Sequence, residues 1–151
     1  MQTTVDLHQL IAATGDAVIA SDRDGAITLW NPAAERMFGY SEAEALGRSL
    51  DLITPERFRQ RHWDGYANSM ATGTTRYGHT LLKVPATHKD GRAMSIAFTV
   101  CMVKDAAGQV TAVVAVVRDE TARFAEERAL RKQLVELEAQ LAALKASTGG
   151  G

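Results

Sequence analysis

Hydrophobic and polar positions divide the chain into stretches of different period. Val5, Leu7, Leu10 and Ile11 recur at helical spacing and predict a short amphipathic helix over residues 5–14. Apolar runs at 17–20 and 26–30 flank Asp22-Arg23-Asp24-Gly25. Asp-Gly between two such runs predicts a hairpin, because glycine accepts the positive φ of a tight turn. Asn31-Pro32 then opens a helix over 32–38. Asparagine is a natural N-cap, and proline suits the first helical position, where no backbone donor is needed. Gly39 ends it. Ser41-Glu42-Ala43-Glu44 reads as a capping box starting a second short helix that ends near Gly47. Thr54-Pro55-Glu56 starts a longer one, over about 55–71, that ends at Gly73.

Beyond that helix the pattern is strand-like. Residues 77–87, 94–103 and 110–117 are three runs separated by turns at 88–91 and 104–108. The last, VTAVVAVV, is nearly all apolar, as expected of a central strand covered on both faces. Two strands, three helices and three strands without a βαβ rhythm predict an α+β domain with an antiparallel sheet and its helices on one face. After Asp119-Glu120-Thr121 the period changes again. Leu130, Leu134, Leu137, Leu141 and Leu144 are spaced 4, 3, 4, 3, the seam of a coiled coil. Continued backwards, the seam meets Glu127 and Arg123, which weaken pairing there. The stripe is narrow and leucine-only, which favours a homodimer through this helix over a helix folded back on its own domain. The divisions are an N-terminal helix (1–15), a sheet-and-helix domain (16–121), a coiled-coil helix (122–146) and a flexible tail (147–151). The tail also suits a segment cut from a longer protein.

Composition adds bounds. The 151 residues, 46% hydrophobic and 23% charged, suit one soluble domain with an appendage. A net charge of −1 gives no broad pull towards nucleic acid or an acidic membrane. There is no apolar run of membrane-spanning length and no signal-peptide pattern, so a cytoplasmic location is expected. The single cysteine, Cys101, reads as a small buried hydrophobe in a strand. His8, His62, His79 and His88 lack zinc-ligand spacing, and no phosphate-binding loop or catalytic constellation is present. The chain therefore reads as a non-catalytic module, with the leucine seam pointing to dimerisation.

Several short motifs in order resemble a PAS domain of the S-box kind over about residues 7–121. They are the Asp-Gly hairpin, Trp30-Asn31-Pro32-Ala33-Ala34, Phe38-Gly39-Tyr40-Ser41, Glu44-Ala45-Leu46-Gly47, Lys89-Asp90-Gly91 and Asp119-Glu120-Thr121. The resemblance implies a PAS fold, a five-stranded antiparallel sheet with helices on one face enclosing a ligand pocket, and an exit helix that carries the signal to an output domain such as a histidine kinase.

A narrower resemblance lies in Pro55-Glu56-Arg57-Phe58-Arg59-Gln60-Arg61-His62-Trp63-Asp64-Gly65-Tyr66 and Met70-Ala71-Thr72-Gly73. These residues are similar to the long helix of rhizobial oxygen-sensing histidine kinases, which hold haem b through a histidine on it. The intervals from Pro-Glu to the histidine, to Thr-Gly and on to Lys-Asp-Gly match without a gap. The resemblance implies haem b on His62 and a diatomic gas (O2, CO or NO) or redox state as the signal. Phe58 and Tyr66 lie four residues either side of His62, on its helix face, and Gly65 lets a flat macrocycle approach. A rival stripe of Trp63, Tyr66 and Met70 would instead face the core and turn His62 outward. By the same counting, Arg76 is a propionate contact, and Tyr77, Phe98 and Val100 are distal-wall candidates. Asn68 replaces a basic residue. Leu82 replaces the arginine that donates to bound O2, so the pocket favours CO or NO or finds a donor elsewhere, such as Thr80. The alternative is a haem-free PAS module for dimerisation or for a small organic ligand.

Overall fold

The computed structural model describes residues 4–75 and 78–149. It comprises a sheet-and-helix unit through Asp119 and a separate helical unit from Glu120. The first contains α1 (Leu7–Ala13), β1 (Ala17–Ser21), β2 (Ile27–Trp30), α2 (Pro32–Phe38), α3 (Glu42–Ala45), α4 (Glu56–Thr72), β3 (Leu82–Thr87), β4 (Ala93–Lys104) and β5 (Val110–Asp119). The second is one helix, α5 (Thr121–Thr148), with no buried residue.

The strands form one antiparallel sheet in the order β2-β1-β5-β4-β3. Pro85 sits in β3, an edge strand, where a missing N–H breaks no ladder bond. The register places Leu82, Phe98, Val117 and Ala17 in one cross-strand row, and Val100, Ala115 and Ile19 in the next. This face carries the core. Ala17, Ile19, Ile96 and Val117 pack with Trp30, Ala34, Phe38, Ala45 and Ile53, and Phe98 and Ala115 lean against them. The Trp30 and Phe38 rings lie 5.5 Å apart, and the Trp30 indole donates to the Tyr40 carbonyl at 3.0 Å.

The local signals at α2 and α3 act as the sequence predicts. The Asn31 side chain caps α2, with Pro32 at its first turn, and Gly39 ends it at φ 84°. The Ser41/Glu44 capping box is formed on both sides. Three expectations need correction. The strand expected from residue 77 begins at Leu82, so Thr80 lies in the exposed approach to β3 and shares no strand face with Leu82. β5 is central but not covered on both faces: Val116 is 40% exposed. The packed helices and the core lie on the Val117 side, so alternate β5 residues face outward. For the same reason Cys101, paired with Val114 on that outer face, is exposed rather than buried.

Candidate functional site

Helix α4 carries His62. It follows Pro55, has no side-chain N-cap bond, and ends at Gly73, whose φ of 67° admits glycine readily. No residue of α4 is buried, so no deep apolar stripe fixes it to the sheet. It is held by the polar ends of half-buried side chains. Arg59 donates to the Thr54 carbonyl at 3.1 Å and to the Asp51 carbonyl at 3.2 Å. The Trp63 indole N–H donates to Asp51 Oδ1 at 2.7 Å. The Tyr66 hydroxyl lies 2.9 Å from Ser21 Oγ and donates to the Asp22 carbonyl. A phenol has one proton to give, so Ser21 is the donor in its bond with Tyr66.

The Trp63 indole also sits against the hairpin turn. A Cβ added to Gly25 would stand 2.1 Å from its Cη2, and Gly25 has φ 82°. Glycine is therefore required there twice over, by the turn and by the ring above it. Ser21 shares a strand face with Ala17 and Ile19, which places the Tyr66 contact on the core side of the sheet.

Residues 59, 63 and 66 thus form the anchoring line of α4. This is the rival stripe of the sequence, with Arg59 in place of Met70. It does not turn His62 out. The imidazole sits on the shoulder of the line, 4.8 Å from the Trp63 ring and 5.9 Å from the Tyr66 ring. Its Nδ1 is buried and has no hydrogen-bond partner among the described residues. Burial holds the His62 pKa below its usual value, partly offset by the Asp51 carboxylate. Burial also raises that of Tyr66, against the opposing bond from Ser21. Burial thus favours the neutral imidazole, the form that binds a metal, and leaves its Nδ1 without a hydrogen-bond partner among the described residues.

The other expected site residues divide. Leu82 and Phe98 are direct cross-strand partners, and Val100 stands on the same face. Phe58 lies under the Arg57 guanidinium, 4.8 Å from its ring centroid. Gly65 is exposed, and a Cβ there would meet nothing within 4 Å, so no protein contact demands a glycine. Arg76 and Tyr77 fall outside the described residues. Two open clefts, of about 500 and 400 Å³, lie at Pro55/Pro85/Gly91 and at Asp22/Asp105/Thr111, and neither is lined by His62. The contacts of α4 with Asp51, Ser21 and Gly25 are not legible in the sequence, although Gly25 reads there as the turn glycine. A half-buried indole or phenol needs a partner for its polar tip, but the pattern does not say which residue supplies it.

The donor chemistry fits haem in one respect: His62 carries a buried nitrogen with no hydrogen-bond partner among the described residues. The His62 shift carries a pH consequence for the haem-free protein. Its folded pKa is lowered, so between that value and the ordinary one near ~6.5 the unfolded chain binds more protons. Stability should therefore fall as pH drops through this window and level off below it. His62→Gln should flatten the profile there. Urea midpoints from pH 7.5 to 5 measure this, and an unchanged slope in the variant would place the titration elsewhere.

A family model of the PAS fold matches residues 6–119. An uncharacterised protein of Azorhizobium caulinodans is 35% identical over 78% of the chain. Sensor protein FixL of Bradyrhizobium diazoefficiens is 41% identical over 44% of the chain. Oxygen sensor protein DosP of Escherichia coli is 27% identical over 79%. The matches span only 16%, 13% and 14% of those relatives' own lengths. Among solved structures, a PAS domain from Colwellia psychrerythraea superimposes with a TM-score of 0.68 at 20% identity, over 77% of this chain and 95% of that one. With the sheet order, the core-side helices and the model match in agreement, the chain belongs to the PAS-fold family of sensory domains.

Proposed function

We propose that this PAS domain binds haem b through His62, senses a diatomic gas (O2, CO or NO) or redox state, and relays it through α5 to an output domain such as a histidine kinase. The observation that carries the reading is the buried His62 Nδ1, without a hydrogen-bond partner among the described residues, on the helix whose intervals match those of the oxygen-sensing kinases. The names of two relatives, sensor protein FixL and oxygen sensor protein DosP, support it. Haem, when bound, would supply an iron able to take up a small diatomic ligand. His62 would hold it through its imidazole. Leu82, Phe98 and Val100 offer an apolar wall that keeps water from the site. Leu82 has no donor, and Thr80 lies in the exposed approach to β3, so the wall suits CO or NO, which need no donor, more than O2. Arg76 is the proposed propionate contact, with Tyr77 as a further wall residue. Val110–Asp119 of β5 leads directly into α5, which gives the sheet a covalent path to the output.

The proposed assembly is a cytoplasmic homodimer through the coiled-coil segment 122–146. No described helix is long and apolar enough to cross a membrane.

Hemin titration tests the cofactor. The wild-type chain is expected to take up one equivalent with a sharp violet absorbance band, and His62→Ala to bind at least about a hundredfold more weakly, in line with the loss of an axial ligand. Equal uptake by the two would remove His62 as the ligand. A colourless wild-type protein would favour the second reading, a haem-free module for dimerisation or a small organic ligand. The packing of the Trp63 and Tyr66 rings against His62 is the observation behind that reading.

A further inference from the structure

Helix α4 poses a mechanical question. It carries the proposed ligand, yet it buries no residue and has no side-chain cap at its start. A helix without a packed apolar stripe is free to rotate about its axis and slide along it. Rotation by one residue's worth, about 100°, would move the His62 ring from its shoulder position to solvent. Something other than packing must set the helix angle.

We propose that Trp63 and Tyr66 are positioning residues that together clamp α4 to the β1–β2 hairpin and so hold His62 at the pocket, an inference that rests on His62 as the haem ligand. The two attachments differ in kind and direction. Trp63 is seated on Gly25 by shape and tied to Asp51 through its indole N–H. Tyr66 is tied to Ser21 Oγ and to the Asp22 carbonyl through one hydroxyl that both accepts and donates. One such point would permit rotation about itself. Two points three residues apart, on the same side of the helix, fix both angle and slide. Their rings touch each other at 5.2 Å and both touch the His62 ring, so the clamp and the ligand move as one unit.

The clamp also links the site to the sheet. Ser21 pairs with Val113 of β5, the strand that leads to α5. A change in the setting of His62 is therefore felt first at the hairpin and then across β1 and β5.

Two conservative variants approach the clamp from opposite sides. Tyr66→Phe keeps the ring and removes the hydroxyl. Ser21→Ala removes its donor from the strand. Each is compared with the wild-type full chain, first without cofactor and then with hemin. Without cofactor, amide exchange across residues 58–70 is expected to quicken about five- to tenfold, the value of one half-buried hydrogen bond. Exchange in β4 and β5 should stay unchanged, and the His62 ring-proton resonances, set by the neighbouring indole and phenol rings, should shift. With hemin, the same variants should release it faster and show an altered absorbance band. Wild-type rates in α4 and unmoved His62 resonances in both variants would overturn the clamp, whatever hemin does. Failure of the wild-type chain to take up hemin would overturn the haem reading, while exchange and His62 resonances would still decide whether the clamp sets the position of this ring.

Discussion

Asn31→Ala is expected to lower the stability of the sheet-and-helix unit by about 2–4 kcal/mol, which removes a large share of what a domain of this size has. The side chain is 3% exposed and uses its full bonding capacity. Its Oδ1 accepts from the N–H of Val18 at 2.9 Å and of Ala34 at 3.0 Å. Its Nδ2 donates to the carbonyls of Ile11 at 2.9 Å and Asp16 at 3.1 Å. With two N–H groups on one side and two carbonyls on the other, the amide has only one orientation that works. It joins the end of α1, the start of β1 and the first turn of α2. In the alanine variant the Ile11 and Asp16 carbonyls, on half-buried residues, regain water. The N–H groups of Val18 and Ala34, which are 9% and 0% exposed, do not, and two orphaned donors account for the expected loss. Urea unfolding measures it as a fall in midpoint of about 1–2 M. Asn31→Ser should recover about 1 kcal/mol by capping Ala34 alone. A midpoint within error of the wild type would mean that the pocket around residue 31 admits water.

The same residue shows where sequence reading stops. Asn31-Pro32 with Gly39 is a helix start and stop by local rules, and α2 obeys them. The capping box at Ser41 and the Asp-Gly turn at residue 25 are local in the same sense. What the pattern does not show is that the cap of α2 is also the bolt for α1 and β1, because Ile11 and Val18 carry no mark of it. The long helix repeats the lesson. The intervals around His62 singled out that residue, and the cross-strand pair Leu82–Phe98 and the face shared with Val100 follow from strand parity. The anchoring line 59–63–66 depends on Asp51, Ser21 and Gly25, which only the tertiary fold brings to α4. The expectation of a doubly covered β5 failed because an apolar strand is evidence of burial on at least one face, not on two.

Leu134→Asp together with Leu137→Asp is expected to convert the proposed homodimer to monomer. Helix α5 is 28 residues long, roughly 42 Å, and no residue of it is buried. Leu130, Leu134, Leu137, Leu141 and Leu144 are 53% to 64% exposed. A leucine line left in water has no reason to be continuous, and a second copy of the helix is the partner its period fits. Covering a leucine contributes at least about 1.5 kcal/mol. Four substituted positions across a dimer therefore forfeit about 6 kcal/mol before the cost of burying the aspartates, or roughly a ten-thousandfold weakening. Sedimentation across a concentration series reads this directly, and a double variant that still sediments as a dimer would move the interface off α5. The seam is uneven along its length. Continued towards the sheet it passes through Glu127 and Arg123, which are engaged within their own helix: Arg123 lies 3.6 Å from Glu127 and 4.0 Å from Glu120. A pair of helices must either desolvate these charges or splay there, so pairing should be tight from Leu130 onwards and loose before it. Arg123→Leu with Glu127→Leu should then strengthen the dimer at least tenfold, by extending the apolar line one heptad back. It should also make the dimer less responsive to the state of the sensory domain, because the loose stretch is where a shift in β5 can change the pairing at least cost.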